Sequence, residues 1–258
     1  MMNSLVLVAA GKGTRIGGSI NKLLMEMHGH PLIWYTFKNI LDSKLLDEIV
    51  IVVKDTEKSQ FQQILSEFKH AIPIKWGQGG NTRVDSVING ISQISSKSEK
   101  LLIHDGARPL VGGDAIDQIL NKLGPAHPAV IFALPCIDTM KEINDEQVKK
   151  TVDRSKLYRA QTPQGVLTDL YKKALLQIKS LENITDDSSI FEAVKIPVTI
   201  IPGRENFFKV TTTEDWNRFL SVVQTDKEGN RLNAVKVDGV DSTDEKVIGK
   251  RLQEIAKN

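Results

Sequence analysis

The apolar run Leu5-Val-Leu-Val-Ala-Ala10 leads directly into the glycine-rich turn Gly11-Lys-Gly-Thr-Arg-Ile-Gly-Gly18, and this junction decides the class of fold. An uninterrupted apolar run of this kind predicts a strand buried on both faces of a parallel sheet. A glycine turn after such a strand lets main-chain N–H groups approach an anion closely, because no Cβ stands in the way. Three cations within eleven residues, Lys12, Arg15 and Lys22, suit a triphosphate.

Two familiar phosphate-binding patterns do not fit this turn. The dinucleotide fingerprint needs glycine at position 16, where this chain has Ile16. The Walker pattern needs a longer spacing between its first glycine and the Gly-Lys-Ser/Thr triplet, and that spacing is also absent. The turn therefore predicts an anion site of another kind, and the alternative is a solvated loop whose basic residues bind nothing specific.

Short apolar runs alternate with helical spacing along the first two thirds of the chain. Further strands are predicted at Glu48 to Val53, Ile72 to Trp76, Leu101 to His104 and Ala129 to Leu134. Apolar residues recur at helical spacing between them, from Ile33 to Leu41 and from Ile116 to Leu123. The alternation predicts an α/β fold, a Rossmann-like and mostly parallel sheet with helices on both faces. Ligands of such sheets bind beyond the carboxyl ends of the strands.

The pattern changes after Pro135. Residues 136–163 are polar with weak periodicity, which predicts an excursion from the sheet, interpreted as a protruding arm used in dimerisation. The periodicity beyond it predicts a helix from Leu167 to Ile178, strands at Val198 to Ile201 and Phe207 to Val210, and a helix around Trp216 capped by Thr211 and Glu214. Residues 224–258 have the composition of a linker plus a short helix that starts near Ser242.

The composition excludes several classes of protein. The 258 residues are 40% hydrophobic and 26% charged, with a net charge of +2, so no global charge favours nucleic acid or an acidic membrane. The single cysteine, Cys136, excludes an internal disulfide and a multi-thiolate metal site, and it suits a reducing compartment. No apolar run approaches the ~18 residues of a membrane span, and the start lacks the features of a signal peptide. We expect a soluble cytoplasmic protein.

Polar residues that suit a ligand site follow three further predicted strands. Gly79 and Gly80 precede a predicted helix that carries Arg83 and Ser86 one turn apart, which suits an anion or a base. Asp105 could ligate Mg²⁺ or accept from a substrate hydroxyl, or it could pair with an arginine to hold the turn. The neighbouring arginine, Arg108, could clamp a phosphate, and Lys209 ends a later strand. His104 is interpreted as packed rather than catalytic.

In this order the motifs resemble the 2-C-methyl-D-erythritol 4-phosphate cytidylyltransferase family of the non-mevalonate isoprenoid pathway. The resemblance covers residues 5 to about 220 and rests on A-A-G-x-G-x-R at 9–15, G-G-x-x-R-x-D-S-V at 79–87 and H-D-x-A-R-P at 104–109. It continues with D-T-M-K at 138–141, D-R at 153–154, Q-T-P-Q at 161–164, T-D-D at 185–187 and F-K-V-T at 208–211. This chain has Asn21-Lys22-Leu23 where the family usually has Pro-Lys-Gln, and Phe207 where the family commonly has asparagine.

The resemblance implies a role for each matching position. The residues expected to bind the nucleotide are Ala9, Ala10, Gly11, Gly13, Thr14, Gly79, Gly80, Arg83 and Ser86. Those expected around the sugar phosphate are Asp105, Arg108, Thr139, Thr162 and Thr185. The expected catalytic cations are Arg15, Lys22, Arg154 and Lys209. The family resemblance further implies a nucleotidyltransferase domain at 1–223, and a homodimer in which the partner lends Thr139 and Arg154 through the arm. It also implies Mg²⁺ held mainly by the CTP phosphates, with Asp105 as a further candidate ligand.

The implied reaction is in-line attack of a polyol phosphate on the α-phosphorus of CTP, with pyrophosphate leaving. Because the nucleophile is already an anion, positioning and charge neutralisation suffice and no general base is required. The alternative acceptor is ribitol 5-phosphate, as in the related ribitol 5-phosphate cytidylyltransferases. Two other classes stay open as hypotheses, a nicotinamide-dependent reductase and a nucleotide sensor without catalytic activity.

Overall fold

The computed structural model describes residues 2–11, 21–181 and 184–223. The strands in this part of the chain are β1 (Met2–Val8), β2 (Glu26–Met27), β3 (His30–Pro31), β4 (Glu48–Val53), β5 (Ile74–Gln78), β6 (Ser98–Asp105), β7 (Ala129–Pro135), β8 (Met140–Asn144), β9 (Gln147–Val152), β10 (Tyr158–Leu167) and β11 (Val198–Pro202). The α-helices are α1 (Leu32–Ile40), α2 (Lys58–Leu65), α3 (Arg83–Ile91), α4 (Gly113–Lys122), α5 (Thr168–Leu175), α6 (Ser188–Ala193) and α7 (Thr213–Val222).

Seven strands form one sheet in the order β11-β7-β10-β6-β1-β4-β5. β1 is parallel to both of its neighbours, so that Leu5 pairs with Ile49 of β4 and with Leu102 of β6. β5 is parallel to β4, and β11 is parallel to β7 at the other edge. Only β10 runs antiparallel, between β6 and β7. The prediction of a mostly parallel sheet is therefore confirmed. From β1 the chain continues to β4 on one side of that strand, and it later adds β6 on the other side. A ligand crevice is therefore expected at the carboxyl end of β1, where the strand order reverses.

Helices cover both faces of this sheet, as predicted. α1, α2, α4 and α7 pack on one face, where Phe37 and Phe219 belong to the same apolar cluster. α3, α5 and α6 pack on the other face, through Val87, Tyr171 and Phe191. All six residues of β4 are buried because the strand lies between two others and beneath helices on both sides. No helix within the described residues is long and apolar enough to span a bilayer.

Two local predictions near the end of the described chain are wrong. Residues 207–210 were expected to form a strand, but Glu205–Phe207 is a short 3₁₀ turn, and the following residues pair with no strand. Phe207 and Val210 are apolar because their side chains are buried in the core, although both residues belong to a loop. The capping box of α7 is formed by Thr212 and Asp215, one residue later than Thr211 and Glu214.

The polar excursion is shorter than predicted. β8 and β9 form an antiparallel hairpin whose turn residues, Asp145 and Glu146, both have positive φ, as in the turns that suit two-residue hairpins. The prediction extended the arm to residue 163, but β10 begins at Tyr158 and belongs to the main sheet. The reason is that Gln161 and Gln164 are polar yet buried, so composition alone placed them outside the core. The helix predicted from Ser242 lies outside the described residues.

Candidate active site

A cavity of about 480 Å³ opens at the carboxyl ends of β1, β4, β5 and β6. The segment that follows each strand contributes to its wall: Gly11 after β1, Lys54 after β4, Gly80 after β5 and Gly106 after β6. Among the described lining residues, the cationic side chains are Lys22, Lys54, Arg83 and Lys209, and the only carboxylate is Asp105. The crevice expected from the strand order is therefore present, and its lining favours an anionic ligand.

The turns after β1 and β5 lie against each other at the end of β4. The Ala9 N–H donates to the carbonyl oxygen of Val52 at 2.8 Å, and the Gly79 N–H donates to that of Val53 at 2.8 Å. A Cβ added to Gly79 would lie 2.3 Å from the Cβ of Ala10, and one added to Gly80 would lie 2.2 Å from the Cβ of Asp85. Glycine is required at position 79 because the two turns approach so closely, and at position 80 because the first turn of the following helix lies against it.

The turn after β5 is fixed to the first turn of α3. Thr82 and Asp85 form a capping box, and the Thr82 hydroxyl accepts from the Asp85 N–H at 3.1 Å. The Ser86 hydroxyl accepts from the Gly80 N–H at 2.9 Å and donates to the carbonyl oxygen of Thr82 at 3.0 Å. This arrangement brings the amino end of a nine-residue helix to the cavity, where its dipole favours an anion.

Asp105 at the end of β6 is surrounded by cations. Its Oδ1 accepts from Nε of Arg83 at 3.1 Å, its Oδ2 accepts from Nζ of Lys209 at 2.9 Å, and Nε of Arg108 lies 3.9 Å from that Oδ2. Burial alone would raise the pKa of Asp105, but the three positive charges outweigh burial and hold that pKa well below its usual range. The carboxylate is therefore ionised at neutral pH and fixes two of the cavity's cations.

Arg83 joins this cluster to α6. Its Nη2 donates to Oδ2 of Asp187 at 2.7 Å, and Asp187 is almost fully buried beside α6. Nη1 of Arg83 is buried and has no hydrogen-bond partner among the described residues. Because a buried N–H donor is normally satisfied, this group fits a site that a ligand completes.

The segment 207–210 is anchored beside the cavity, to which it contributes Lys209. Nζ of Lys22 donates to the carbonyl oxygen of Val210 at 2.7 Å, and Nη1 of Arg108 donates to that of Phe207 at 2.5 Å. The Val210 N–H donates to the carbonyl oxygen of Ala107 at 2.9 Å. These bonds hold Lys209, which lies between the two anchored residues, beside Asp105.

Thr162 lies behind Asp105 rather than in the cavity wall. Its hydroxyl accepts from the Asp105 N–H at 3.1 Å and lies 3.0 Å from Nδ1 of His104. Burial lowers the pKa of His104 to about 3, so the imidazole is neutral near pH 7. The interpretation of His104 as a packed residue is confirmed, since its side chain has no exposed surface.

The family model described as 2-C-methyl-D-erythritol 4-phosphate cytidylyltransferase matches residues 3–224 of this chain. The chain belongs to this cytidylyltransferase family. Two relatives that carry the same name, from two strains of Prochlorococcus marinus, are each 38% identical over 212 residues. The matched region covers 81% of this chain and 94% and 92% of the relatives. A second family model, described as a domain of unknown function (DUF8438), matches residues 220–258.

A solved structure of the same kind supports the cytidylyltransferase fold. The 4-diphosphocytidyl-2C-methyl-D-erythritol synthase of Anaerococcus prevotii is 28% identical to this chain, with a TM-score of 0.74. The similarity covers 85% of this chain and 95% of the A. prevotii chain. The resemblance drawn from the sequence motifs is thereby confirmed.

The structure brings together many of the residues that were expected for a member of this family. The predicted residues that line the cavity are Ala10, Gly11, Lys22, Gly80, Arg83, Ser86, Asp105 and Lys209. Ala9, Gly79, Arg108 and Thr162 lie directly behind the cavity wall, through the contacts given above. Gly13, Thr14 and Arg15 lie outside the described residues, so their predicted roles stay predictions.

Three further predicted residues do not line this cavity. Thr139 and Arg154 belong to the arm and are exposed, and Nη1 of Arg154 donates to the carbonyl oxygen of Ile137. Thr185 is also exposed, two residues before Asp187. Within one chain these side chains are not part of the cavity wall.

Two residues of the site were given no role by the sequence analysis. Lys54 lines the cavity, and its only signal is that it directly follows a predicted strand of a parallel sheet. Asp187 is the last residue of the T-D-D motif, from which only Thr185 was given a role, and it binds Arg83 although the two are far apart in sequence. Both residues reach the site through contacts between segments that are distant in the chain.

Proposed function

We propose that this chain joins CTP to 2-C-methyl-D-erythritol 4-phosphate, giving 4-diphosphocytidyl-2-C-methyl-D-erythritol and pyrophosphate. One observation carries the proposal: in a member of this family, four cationic side chains and two glycine turns meet at the carboxyl edge of a parallel sheet. The cations suit the charge of a triphosphate, and the open backbone of the turns suits close contact with a nucleotide. The names of the relatives support CTP and the methylerythritol phosphate rather than ribitol 5-phosphate.

The chemical step is a substitution at phosphorus. A phosphate oxygen of the acceptor forms a bond to the α-phosphorus of CTP, while the bond from that phosphorus to the bridging oxygen breaks and pyrophosphate leaves with the electron pair. A phosphate monoester loses its second proton with a pKa of about 6, so the attacking oxygen is already anionic at pH 7. A general base is not needed, which agrees with a neutral, buried His104.

The residues of this chain act by positioning and by neutralising charge. Lys22, together with Arg15, neutralises charge on the α-phosphate and the leaving pyrophosphate, while the turns at Ala9 to Gly11 and Gly79 to Ser86 hold the nucleotide. Lys209 orients the incoming phosphate. Asp105 and Arg108 are proposed beside the sugar phosphate, and Thr162 supports Asp105 from behind. A role for Thr185 rests on the family resemblance alone.

Magnesium enters this scheme with the nucleotide as part of the substrate. Asp105 does not fit a Mg²⁺ ligand, because its two oxygens accept from Arg83 and Lys209 and a third cation lies close by. Among the described residues, no group of three or more His, Cys, Asp or Glu side chains could hold a metal. We propose that Mg²⁺ binds to the triphosphate oxygens, which are the hard ligands it prefers.

We also propose a homodimer formed through the arm. Five large apolar side chains are exposed between residues 137 and 158: Ile137, Met140, Ile143, Val148 and Tyr158. A two-stranded hairpin is marginally stable alone in water, and an exposed apolar patch of this kind suits burial against a second copy. In this dimer the partner lends Thr139 and Arg154 to the acceptor site. We place the enzyme in the cytoplasm, where CTP is supplied and a free Cys136 stays reduced.

The experiment for the reaction follows pyrophosphate release from CTP and Mg²⁺ by the full chain. Parallel reactions contain methylerythritol 4-phosphate, ribitol 5-phosphate or no acceptor, and the Lys22→Ala chain is the control for contaminating activity. Release with methylerythritol 4-phosphate alone is expected. Pyrophosphate release with ribitol 5-phosphate alone would identify ribitol 5-phosphate as the acceptor instead. Binding of CTP without pyrophosphate release in any of the reactions would indicate a nucleotide sensor.

The experiment for the dimer uses complementation. Lys22→Ala and Arg154→Ala chains are each expected to be inactive, yet a mixed dimer contains one site with both residues intact. Statistical mixing then restores about a quarter of the sites of the unmodified dimer. A mixture of Lys22→Ala and Lys209→Ala chains restores none, because both residues belong to the same subunit's site. Equal recovery in the two mixtures, or a monomer by sedimentation, would contradict the proposal.

A further inference from the structure

Lys54 occupies a central place at the carboxyl edge of the sheet. It directly follows β4, which lies between β1 and β5, the two strands that lead into the glycine turns. It lines the same cavity as Lys22, Gly11 and Gly80. A cation at this place lies between the two backbone segments that are proposed to hold the nucleotide.

The ammonium group of Lys54 is held in place by a carboxylate. Its Nζ donates to Oε1 of Glu57 at 3.0 Å, and the Glu57 N–H donates back to the carbonyl oxygen of Lys54 at 2.9 Å. The side chain of Lys54 is 36% exposed, while that of Glu57 is 15% exposed. A lysine ammonium carries three N–H donors, so the bond to Glu57 leaves donors for a ligand in the cavity.

Glu57 connects Lys54 to the turn that carries Lys22. Its Oε2 accepts from Nδ2 of Asn21 at 2.8 Å, and Nδ2 also donates to the carbonyl oxygen of Ala9 at 3.1 Å. Oδ1 of Asn21 accepts from the Leu23 N–H at 3.1 Å and so caps the 3₁₀ turn Lys22–Leu24. Asn21 is only 3% exposed, and its side-chain amide links the end of β1, this turn and Glu57 by hydrogen bonds.

We propose that Lys54 binds a phosphate of the nucleotide, and that Asn21 and Glu57 are positioning residues that hold Lys54 and Lys22 at one cavity. The inference rests on the proposed function for the identity of the nucleotide. An isolated, half-exposed Lys–Glu pair adds little to stability. Here the Glu57 carboxylate also accepts from the buried amide of Asn21, which caps the turn that carries Lys22. Such an arrangement fixes the ammonium groups of two cavity lysines for a ligand.

The first test measures the affinity of the full chain for the magnesium complex of CTP by titration calorimetry, without an acceptor. We expect Lys54→Met to weaken binding about tenfold, since a hydrogen bond to a charged group is lost, and Lys54→Arg to restore most of it. Lys69→Met is the matched control, because Lys69 is exposed and does not line the cavity. Unchanged CTP affinity in Lys54→Met, or an equal loss in Lys69→Met, would overturn the inference.

The ligand series separates phosphate binding from a general change of the site. Lys54→Met is expected to weaken the binding of CTP and to leave that of cytidine unchanged, because cytidine has no phosphate. An equal loss for CTP and cytidine would assign Lys54 to the base or the ribose and overturn the inference. Since binding is measured without turnover, an effect on CTP affinity in a chain that never releases pyrophosphate would overturn the proposed function and leave this inference standing.

The positioning role is tested with two substitutions of Asn21. Asn21→Ala removes the cap and the bond to Glu57, whereas Asn21→Ser keeps a capping oxygen for the Leu23 N–H but is too short to replace the amide. We expect Asn21→Ala to lower kcat about tenfold, as for one misplaced charge contact, and Asn21→Ser to recover most of kcat while still binding CTP more weakly. If the two variants share one kcat and one CTP affinity, Asn21 does not position these lysines.

Discussion

Replacing Asp105 by asparagine removes the only carboxylate among the described cavity-lining residues and leaves its cationic neighbours in place. Removing one partner of a buried ion pair costs about 3–5 kcal/mol, because the other charge stays buried without compensation. Two features favour the lower end here: Arg83 keeps its bond to Asp187, and the Lys209 side chain is 37% exposed and can turn to solvent. We expect a loss of about 3 kcal/mol, which is roughly 10²-fold in the folding equilibrium.

The assay is urea denaturation at pH 7, followed by tryptophan fluorescence. Asp114→Asn is the matched control, because Asp114 binds Arg204 at 2.7 Å in a pair whose side chains are 61% and 47% exposed. Exposed pairs contribute about 0–1 kcal/mol, so the control is expected to unfold almost as the unmodified chain does. A loss below about 1 kcal/mol for Asp105→Asn, or equal losses in both variants, would refute the reasoning.

The pH dependence of this difference is a second check. The folded-state pKa of Asp105 is lowered, so its stabilisation is complete above the ordinary carboxyl pKa of about 3.9 and is lost as the pH falls towards the folded value. The gap between the unmodified chain and Asp105→Asn is therefore expected to be equal at pH 7 and pH 5 and to narrow only below about pH 4. If the difference in the free energy of unfolding already narrowed between pH 7 and pH 5, a group other than Asp105 would be responsible for the pH dependence.

Three further predictions concern single residues. Lys22→Ala is expected to lower turnover by ~10²-fold or more, the effect of losing one preorganised charge contact, and an undiminished rate would remove Lys22 from the mechanism. Because burial lowers the pKa of His104 to about 3, the unfolded chain binds a proton that the folded chain does not. The free energy of unfolding should thus fall by about 1.4 kcal/mol per pH unit below about pH 6 relative to His104→Gln, and parallel profiles would contradict this. Gly79→Ala places a methyl group 2.3 Å from the Cβ of Ala10, so an overpacking loss of about 1–3 kcal/mol is expected in urea denaturation, whereas unchanged stability would show that the turns can separate.

The features predicted most accurately from the sequence depend on local patterns. The strand predicted at Glu48 to Val53 has those bounds in the structure, because a strand buried on both faces is apolar at every position. The glycines at 79 and 80 predicted a turn that leads into a helix, and the space around both shows why no side chain fits there. The helix predicted after them, which carries Arg83 and Ser86, begins at Arg83, where the structure shows a capping box made by neighbours in sequence.

The features that the sequence did not reveal depend on residues distant in the chain. Gln164 belongs to a buried strand because its side chain accepts from the N–H groups of Asp187 and Ser188 and donates to Asp186, and none of these partners is close in sequence. A polar residue that is satisfied by such partners looks like a loop residue until the fold is known. Lys54 was missed for the same reason, since the cavity that it lines is made by four strands.

The carboxylates around this cavity explain how a folded chain tolerates so much positive charge before a nucleotide binds. Asp105, Asp187 and Glu57 each bind at least one of the cavity's cations, and Arg83 is bound by two of them. These bonds fix the direction of the cations without using all of their N–H donors, since lysine carries three and arginine five. A triphosphate can therefore add its own bonds without first displacing the carboxylates. The cost of ordering the cations is met during folding, and this is the condition under which fixed charges stabilise a transition state most effectively.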